Sequence, residues 1–421
     1  MIAIETVAPG HSFRPLRLPG QRPNALEQFV AFPREGLPLD PGRVPLLDVE
    51  QADLVDRRGH PFYQPDGDVP AGEAELFLAR RDDRIVGRVA AVVNHQHNAF
   101  EGVRQGFFGF YEALDDQAIA DALLGAAEGW LRQRGMAEML GPASPTHNYY
   151  YGSRVRSEEP APSRVRFLEA DNPDYYNRHF QAYGLESARR LFGYDADLDS
   201  PEVARVATRF ERTIRETIDA TGMRIRPLDL GDFEAEITRA NELINRSLAE
   251  NWGFSPMTRA ELAYMGRQMR LLIDPRLVLF VELEARPVGI SLAVPDYNEL
   301  FTAMNGRLGG WPAAFQFGNL PIMRWAWPHG NAWATRSIDS ARVIALGVLP
   351  TVWRDQAQVR REMVRLGPAL IFATFENLRR AGYHRLTASW ILEDNTAMLA
   401  PFKLVGLQPA RVWKIYRKPL A

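Results

Sequence analysis

Apolar and polar positions follow the same order in two stretches of the chain. In the first stretch, apolar runs at residues 75–80 and 85–94 lie on either side of a short polar segment. In the second, apolar runs at residues 277–284 and 288–294 are separated in the same way. Runs of this length around a polar turn predict β-hairpins. We therefore predict one hairpin in each stretch.

The sequence after each hairpin predicts the same kinds of element again. Gly289 stands in the second hairpin where Gly87 stands in the first. Gly135 and Gly382 each end a predicted helix, as glycine commonly does. The predicted elements are a strand at 109–112, a helix at 116–134 and a strand at 137–140 in the first copy, and a strand at 342–348, a helix at 368–380 and strands at 385–392 and 411–418 in the second.

A repeat of this length indicates two copies of one unit. The predicted fold class is α/β (α+β), with two tandem domains that each contain a mixed central sheet flanked by helices. We expect residues 1–200 to form the N-terminal domain, residues 201–221 a helical connector and residues 222–421 the C-terminal domain. The alternative is a pair of unrelated domains that both begin with a hairpin.

The composition limits the possible functions and locations. With 50 basic and 52 acidic residues among 421, the net charge of −2 gives no general attraction to nucleic acid. The absence of cysteine excludes thiol catalysis, disulfides and cysteine-ligated metal sites. We see no signal peptide and no run of roughly 18 apolar residues that would span a membrane. We expect a cytoplasmic protein without a bound metal, and expect any contact with lipid to be peripheral, at the inner membrane.

Two motifs follow strands of the second copy. The first is Arg354-x-x-Ala357-x-Val359. The second has the spacing N-x6-F-x3-G-L and contains Asn395 and Phe402. This order and spacing resemble the acyl-CoA-binding half of the GCN5-related N-acyltransferases, the GNAT superfamily.

The resemblance implies that the C-terminal copy takes acyl-CoA as a co-substrate. In GNAT proteins a loop of the form R/Q-x-x-G-x-G/A and the following helix N-terminus offer backbone N–H groups to the pyrophosphate. Here alanine and valine replace both glycines, and phenylalanine replaces a tyrosine that can protonate the CoA thiolate. The residues expected to contact the co-substrate are Leu346, Gly347, Val348, Arg354, Ala357, Gly367, Asn395 and Phe402.

Acyl transfer to an amine also needs a base that takes a proton from the amine. Glu393 and Asp394 end the strand at 385–392, and Glu250 follows a predicted helix. Because successive strand residues face opposite sides, regular geometry lets only one of Glu393 and Asp394 face the cleft. Each has the alternative role of an exposed carboxylate, and Asp394 that of N-cap for a helix starting near Thr396.

Aromatic and polar residues suggest where the acceptor binds. The expected substrate-binding residues are Asn251, Trp252, Asn305, Arg307 and Trp390. The first two lie in a turn between predicted helices, where GNAT proteins build the acceptor site. Four of the nine tryptophans lie within residues 311–333, interleaved with arginines. That pattern suits a lipid-binding groove or a membrane-interface contact, and the alternative is packing inside the protein.

The first copy lacks the features that would bind CoA. Asp115 and Asp116 stand at the start of its helix, where their charges would repel a pyrophosphate. We therefore expect the N-terminal copy to be without CoA. His95-x-His97 is a weak metal signal, because no carboxylate stands at a suitable spacing.

Longer strings narrow the resemblance. They include N-W-G-F-S-P-M-T at 251–258, A-L-G-V-L-P at 345–350, S-W-I-L-E-D-N at 389–395 and K-I-Y-R-K-P-L at 414–420. These are similar to a bacterial family of tandem GNAT-like proteins that includes the bacterial ceramide synthases. The resemblance implies transfer of a fatty acyl group from acyl-CoA to an amine, with a sphingoid base as one candidate acceptor. The alternative is a non-catalytic GNAT-fold protein that binds acyl-CoA or lipid.

Overall fold

The chain divides into two compact units. The computed structural model describes residues 1–14, 21–38, 40, 43–44, 46–270, 272–299, 301, 338–349 and 366–420. The first unit holds Met1–Leu191 together with residues 411–420. The second holds Phe192–Glu299 and the described residues between 338 and 410.

The first unit is built mainly from strands with helices between them. Its elements begin with β1 (Ile2–Thr6), α1 (Ala25–Glu35), α2 (Asp48–Leu54), β2 (Glu73–Arg81), β3 (Arg84–Val93), α3 (His95–Glu101) and β4 (Gln105–Ala113). They continue with α4 (Gln117–Gln133), β5 (Glu138–Gly141), β6 (Ala143–Ser144), β7 (Tyr150–Tyr151), β8 (Ser153–Arg154), α5 (Tyr175–Ala182) and β9 (Glu186–Asp197), the last of which extends into the second unit.

The second unit repeats the alternation of sheet and helix. Its elements are α6 (Pro201–Thr221), β10 (Arg224–Pro227), α7 (Phe233–Ser247), α8 (Arg259–Met269), β11 (Val278–Leu283), β12 (Arg286–Pro295), β13 (Ser340–Val348), α9 (Leu366–Arg380), β14 (Arg385–Leu392) and α10 (Thr396–Leu404). A last strand, β15 (Arg411–Pro419), belongs to the first unit.

Each unit has a mixed central sheet. In the first unit the strand order is β1-β2-β3-β4-β5-β15, and only β4 and β5 pair in parallel among these neighbours. In the second it is β14-β13-β12-β11-β10, and the parallel pair is β13 and β14. The predicted class of mixed sheets flanked by helices is therefore confirmed.

Helices cover the sheets with apolar side chains. In the first unit, Leu123 and Leu131 of α4 pack on Val89 and Ala91 of β3. In the second unit, α7 and α8 lie on one face of the sheet, where Phe233 joins the cluster around Phe280. On the opposite face, Leu370 of α9 packs on Val281 and Val288. Buried apolar area of this kind is the main favourable term in folding.

The two hairpins are copies of one another down to their irregularities. Ala79 pairs with Gly87, and the pairing then shifts by one residue at a β-bulge. Val281 pairs with Gly289, and the register shifts at the same place. Each turn also contains two consecutive non-glycine residues with positive φ, which are Asp82, Asp83, Glu284 and Ala285. Both predicted hairpins are confirmed.

The C-terminal strand completes the sheet of the first unit. Strand β15 pairs antiparallel with β5 and also with β8. The indole of Trp413, which is 0% exposed, donates a hydrogen bond to the Ala170 carbonyl at 2.8 Å. The hydroxyl of Tyr416 donates to Asn177 Oδ1 at 3.0 Å. The last strand was expected within the C-terminal domain, whereas its partners lie in the first compact unit.

We predict that the first unit depends on Trp413 for its stability. Trp413→Ala is expected to lower the free energy of unfolding by about 3–5 kcal/mol, because it leaves a large cavity. Trp413→Phe should lower it by about 1–3 kcal/mol, because the Ala170 carbonyl loses its donor. Urea denaturation followed by circular dichroism measures both changes. No loss in Trp413→Phe would contradict a separate hydrogen-bond contribution, and equal losses in the two variants would contradict a separate contribution from the cavity.

Candidate functional site

Two parallel strands of the second unit part from one another. Strands β13 and β14 pair from Ser340 and Arg385 to Val343 and Ala388. Within the described residues they do not pair beyond that point, although β13 continues to Val348 and β14 to Leu392. The half of β13 that does not pair with β14 is only half-buried, whereas residues 340–343 are buried. Beyond Val343 and Ala388 the two strands therefore separate. We call the place between their carboxyl ends the opening, and α/β sheets bind ligands at such places.

A bulge in β13 lies at the start of this opening. Val343 pairs with Ala293 of β12, and Ala345 pairs with Leu292. Ile344 therefore has no counterpart on β12. A bulge bends its strand and leaves the extra residue outside the regular ladder, and such features are frequent beside active sites.

The expected co-substrate residues of β13 line the opening with backbone rather than side chains. Leu346 and Val348 pack against the apolar cluster that contains Val281 and Leu370. Gly347 faces the end of α7, and a Cβ built there would lie 2.2 Å from Ser247 Oγ. The backbone of this stretch pairs with β12 on one side, and its peptide groups on the other side are directed toward β14.

We predict that Gly347 is required for close packing of β13 on α7. Gly347→Ala should destabilise the protein by about 1–3 kcal/mol through overpacking. Combining it with Ser247→Gly removes the colliding atoms and should recover most of that loss. Chemical denaturation of both single variants and the double variant measures the coupling. Purely additive effects would show that the contact with Ser247 is not the constraint.

Two helix N-termini lie at the carboxyl edge of this sheet. Because β13 and β14 run in the same direction, α9, which connects them and packs on the sheet, must run the opposite way. Its first turn, at Leu366, therefore lies where β13 ends. Gly367 is in that turn, and a Cβ there would meet no atom of the described residues within 4 Å. Helix α10 begins at Thr396, directly after β14.

Asn395 caps α10. Its side-chain oxygen accepts a hydrogen bond from the Met398 N–H at 3.2 Å. The alternative role of Asp394 as the N-cap is therefore wrong, since the cap is one residue later. Asp394 is exposed, whereas Glu393 is half-buried. A capped helix start still carries partial positive charge from its remaining free N–H groups.

We predict that Asn395 contributes to stability through this cap. Asn395→Ala should lower the free energy of unfolding by about 1 kcal/mol. Asn395→Ser should have little effect, because serine caps helices about as well as asparagine does. Thermal and urea unfolding compare the two variants. An equal loss in both would mean that the amide has a structural role other than capping.

The side chain of Trp390 is held beside the parted strands. It is half-buried, and the guanidinium of Arg342 lies 4.8 Å from the centroid of its ring. Arg342 also donates hydrogen bonds to Ser389 Oγ at 2.9 Å and to the Ser389 carbonyl at 3.0 Å. The buried cation thus fixes the end of β14 against β13.

Phe402 is part of the core. It is 2% exposed and stacks on Tyr194 of β9, with ring centroids 4.6 Å apart and planes 20° from parallel. Sequence analysis missed Tyr194, because it lies far upstream and only the sheet brings it to α10. The aromatic contact explains why a phenylalanine suits this position.

The turn that contains Glu250 follows the contact between α7 and β13. Ser247 touches β13 at Gly347, so Glu250, three residues later, lies within roughly 10 Å of that contact. Glu250 is exposed, and Asn251 and Trp252 are half-buried. The turn lies between α7 and α8, as predicted.

Several expected site residues lie outside the described residues. They are Arg354, Ala357, Asn305 and Arg307, together with the tryptophans of residues 311–333. The structure therefore brings together Gly347, Glu393 and Asn395 at one sheet edge, with Gly367 at the start of α9.

The corresponding gap in the first unit is filled by its own chain. Strands β4 and β5 pair only as far as Phe107 and Leu140. Beyond them, a Cβ at Gly109 would lie 1.7 Å from the Ala143 carbonyl oxygen. The Phe110 N–H donates to Ser144 Oγ at 2.7 Å. The segment after β5 therefore fills the place beyond the parallel pair of the first unit.

The helix of the first copy is capped by its own acid. Asp116 accepts a hydrogen bond from the Ala118 N–H at 2.9 Å. Arg81 donates to Asp116 at 2.6 Å and holds the pKa of its carboxyl below the ordinary value. A carboxylate at this helix start disfavours a phosphate there, and a first copy without CoA stays a prediction.

Metal sites and membrane spans were searched for in the described parts of the chain. No group of three or more histidine, aspartate or glutamate side chains there is placed to hold a metal. His95 contacts Glu73 at 2.8 Å and His97 contacts Gln105 at 3.0 Å. None of the helices described has both the length and the apolar character needed to cross a membrane.

Comparison with known proteins gives relatives along nearly the whole chain. No protein-family model matches. A protein of Caulobacter vibrioides named bacterial ceramide synthase is 29% identical over 406 residues, covering 96% of this chain and 97% of the relative. Protein YghO of Escherichia coli is 27% identical, covering 94% of this chain and 93% of the relative.

A solved structure supports the fold. A tandem GNAT protein from the clavulanic acid biosynthesis pathway, solved without AcCoA, has a TM-score of 0.51 and 13% identity to this chain. The similarity covers 100% of this chain and 99% of that one. At this identity the likeness concerns the fold alone. The chain is a protein of tandem GNAT fold that resembles the bacterial ceramide synthase in sequence.

Proposed function

We propose that the protein is an acyl-CoA-dependent N-acyltransferase whose second unit carries the reaction. The observation that supports it most is the opening between β13 and β14, at an edge where α9 and α10 both begin. The sequence similarity to a bacterial ceramide synthase agrees with this assignment. The assignment of the reaction to the C-terminal copy is part of the proposal, without the last strand, which belongs to the first compact unit.

Acyl-CoA fits this opening for physical reasons. Free N–H groups at the start of α9 and the helix dipole favour a pyrophosphate there. Gly367 places no side chain over that turn, and no atom of the described residues lies within 4 Å of a Cβ at its position. The peptide groups of residues 344–348 can accept or donate hydrogen bonds to an extended acyl-pantetheine arm between the strands. Acyl-CoA supplies the activated thioester.

The reaction requires one proton transfer away from the amine and one to the leaving thiolate. The amine nitrogen attacks the thioester carbonyl carbon, the amide bond forms and the carbon–sulfur bond breaks. Of the candidate bases, we favour Glu393, because it is half-buried at the end of β14 while Asp394 and Glu250 are exposed. Phe402 has no proton to give, so water protonates the thiolate, whose pKa is roughly 8–9.

The acceptor is proposed to be an amphiphilic amine, with a sphingoid base as the leading candidate. The half-buried rings of Trp252 and Trp390 offer apolar contact surfaces in the second unit. A relative named bacterial ceramide synthase supports this choice of acceptor. A cytoplasmic protein in peripheral contact with the inner membrane would meet such an acceptor at the lipid surface.

The proposal predicts that acyl-CoA binds and is consumed. Palmitoyl-CoA and shorter acyl-CoAs should raise the melting temperature, because they bind the folded state. At a concentration 100 times the Kd, binding should add about 2.7 kcal/mol to the free energy of unfolding. With sphinganine present, free CoA thiol should appear together with the N-acyl product. Differential scanning fluorimetry, a thiol assay and mass spectrometry give the three measurements.

Controls separate binding from transfer. Free palmitate should give neither effect. The variant Asn395→Ser keeps the helix cap but loses the amide, so any fall in turnover at unchanged stability would assign Asn395 to the site. A melting shift without product would identify a non-catalytic binding protein, and no shift with any acyl chain length would reject the proposal.

A further inference from the structure

Arg342 joins β13 and β14 at the place where their backbone pairing ends. It lies opposite Thr387, one pair before the last pair, which is Val343 with Ala388. Its guanidinium donates hydrogen bonds to Ser389 Oγ at 2.9 Å and to the Ser389 carbonyl at 3.0 Å. Ser389 is the first residue of β14 beyond that last pair. A side chain of β13 therefore bonds to β14 where the opening begins.

The side chain of Arg342 emerges on the face of the sheet that α7 covers. Leu292 of β12 packs on the apolar cluster that contains Phe233 of α7. Val294, two residues later on β12, shares that face, because alternate residues of a strand point the same way. Arg342 pairs with Val294 and therefore lies on the same face. The turn at residues 250–252 follows α7, the helix on this face.

Arg342 also holds the ring of Trp390. The guanidinium carbon lies 4.8 Å from the centroid of that ring, and Arg342 is only 2% exposed. A cation over an aromatic ring is attracted most strongly where water is excluded. Both hydrogen bonds of the guanidinium named above go to Ser389, the residue just before Trp390. The guanidinium therefore fixes the backbone before the ring as well as the ring itself.

The ring of Trp390 has a size and a position suited to contact a ligand. It is half-buried and lies two residues beyond the last backbone pair of β14. An indole offers a large apolar surface and has few rotatable bonds. A ring that is already held in one orientation need not be ordered when the ligand binds, which strengthens binding.

We infer that Arg342 is a positioning residue for the acceptor, because it fixes the Trp390 ring as one wall for the acceptor's hydrocarbon part. The inference rests on the proposed function and adds to it a residue that acts through another side chain. The acyl arm is proposed to lie along the peptide groups of β13, in the plane of the sheet. Loss of Arg342 should therefore weaken binding of the amine and leave binding of acyl-CoA unchanged.

Binding and turnover of amphiphilic amines test the inference. Arg342→Met keeps the approximate length of the side chain and removes its charge and its hydrogen bonds. In calorimetric titration it should weaken binding of dodecylamine about tenfold, and it should raise the KM for sphinganine by a similar factor. The affinity for palmitoyl-CoA should not change. A purely structural role of Arg342 would instead lower both affinities together.

A double-variant cycle shows whether Arg342 acts through the ring. Trp390→Ala should also weaken dodecylamine binding, and adding Arg342→Met to it should cause no further loss. Arg342→Lys keeps a cation but not the planar fork that bonds two atoms of Ser389. It should bind dodecylamine about threefold more weakly than the wild type, and it decides the question if Arg342→Met does not fold.

Arg226→Met is the matched control. In the same unit, the guanidinium of Arg226 lies 4.9 Å from the centroid of the Phe280 ring and pairs with Glu236 and Glu282. It belongs to β10, three strands away from β13 in the sheet. This variant should lower the melting temperature without lowering the affinity for dodecylamine.

The outcomes distinguish this inference from the proposed function. If the wild type does not consume palmitoyl-CoA, the acyltransferase is rejected, and the titrations with dodecylamine still decide the role of Arg342. Weaker amine binding in the Arg342 variants, with normal affinity in Arg226→Met, would support the inference. It would be overturned by a wild type that does not bind dodecylamine, by folded Arg342 variants with unchanged amine affinity, or by additive losses in the double variant.

Discussion

The end of backbone pairing between β13 and β14 is the constraint on which the proposed site depends. Parallel strands need a crossover, so α9 must start at the carboxyl edge where the strands part. The chain leaving β14 turns directly into α10, which places a second helix start at that edge. Two sets of free N–H groups therefore face one opening. The packing of Gly347 against Ser247 and of Arg342 against Trp390 keeps both strand ends in place.

The two units share one architecture but differ in the residues beside their parallel strands. Both hairpins share the same bulge, and both parallel pairs separate after a few residues. In the first unit, the backbone at Ala143 and the hydroxyl of Ser144 close the gap. Asp116 occupies the helix start that would otherwise attract an anion. Acyl-CoA chemistry is thus physically compatible with the second unit.

Local sequence patterns predicted the helices and strands well, because hydrophobic periodicity and the residue preferences of turns are local properties. The hairpins, the order of strands and helices, and the alignment of Gly87 with Gly289 were all predicted. What escaped prediction depends on contacts between distant residues. Examples are the pairing of β15, the stacking of Tyr194 on Phe402 and the hydrogen bonds of Arg88, which all join residues far apart in the sequence. The helix cap was misplaced by one residue, since Asp394 and Asn395 have similar capping preferences.

Arg88 places a positive charge in the core of the first unit. A methionine at position 88 would fill similar space without the cost of desolvation. The arginine is instead anchored by Phe29 and Gln51, so that its third nitrogen is directed away from any protein acceptor. The guanidinium carbon of Arg88 also lies 4.8 Å from the centroid of the Phe29 ring, so hydrogen bonds and a cation–π contact both stabilise the buried charge.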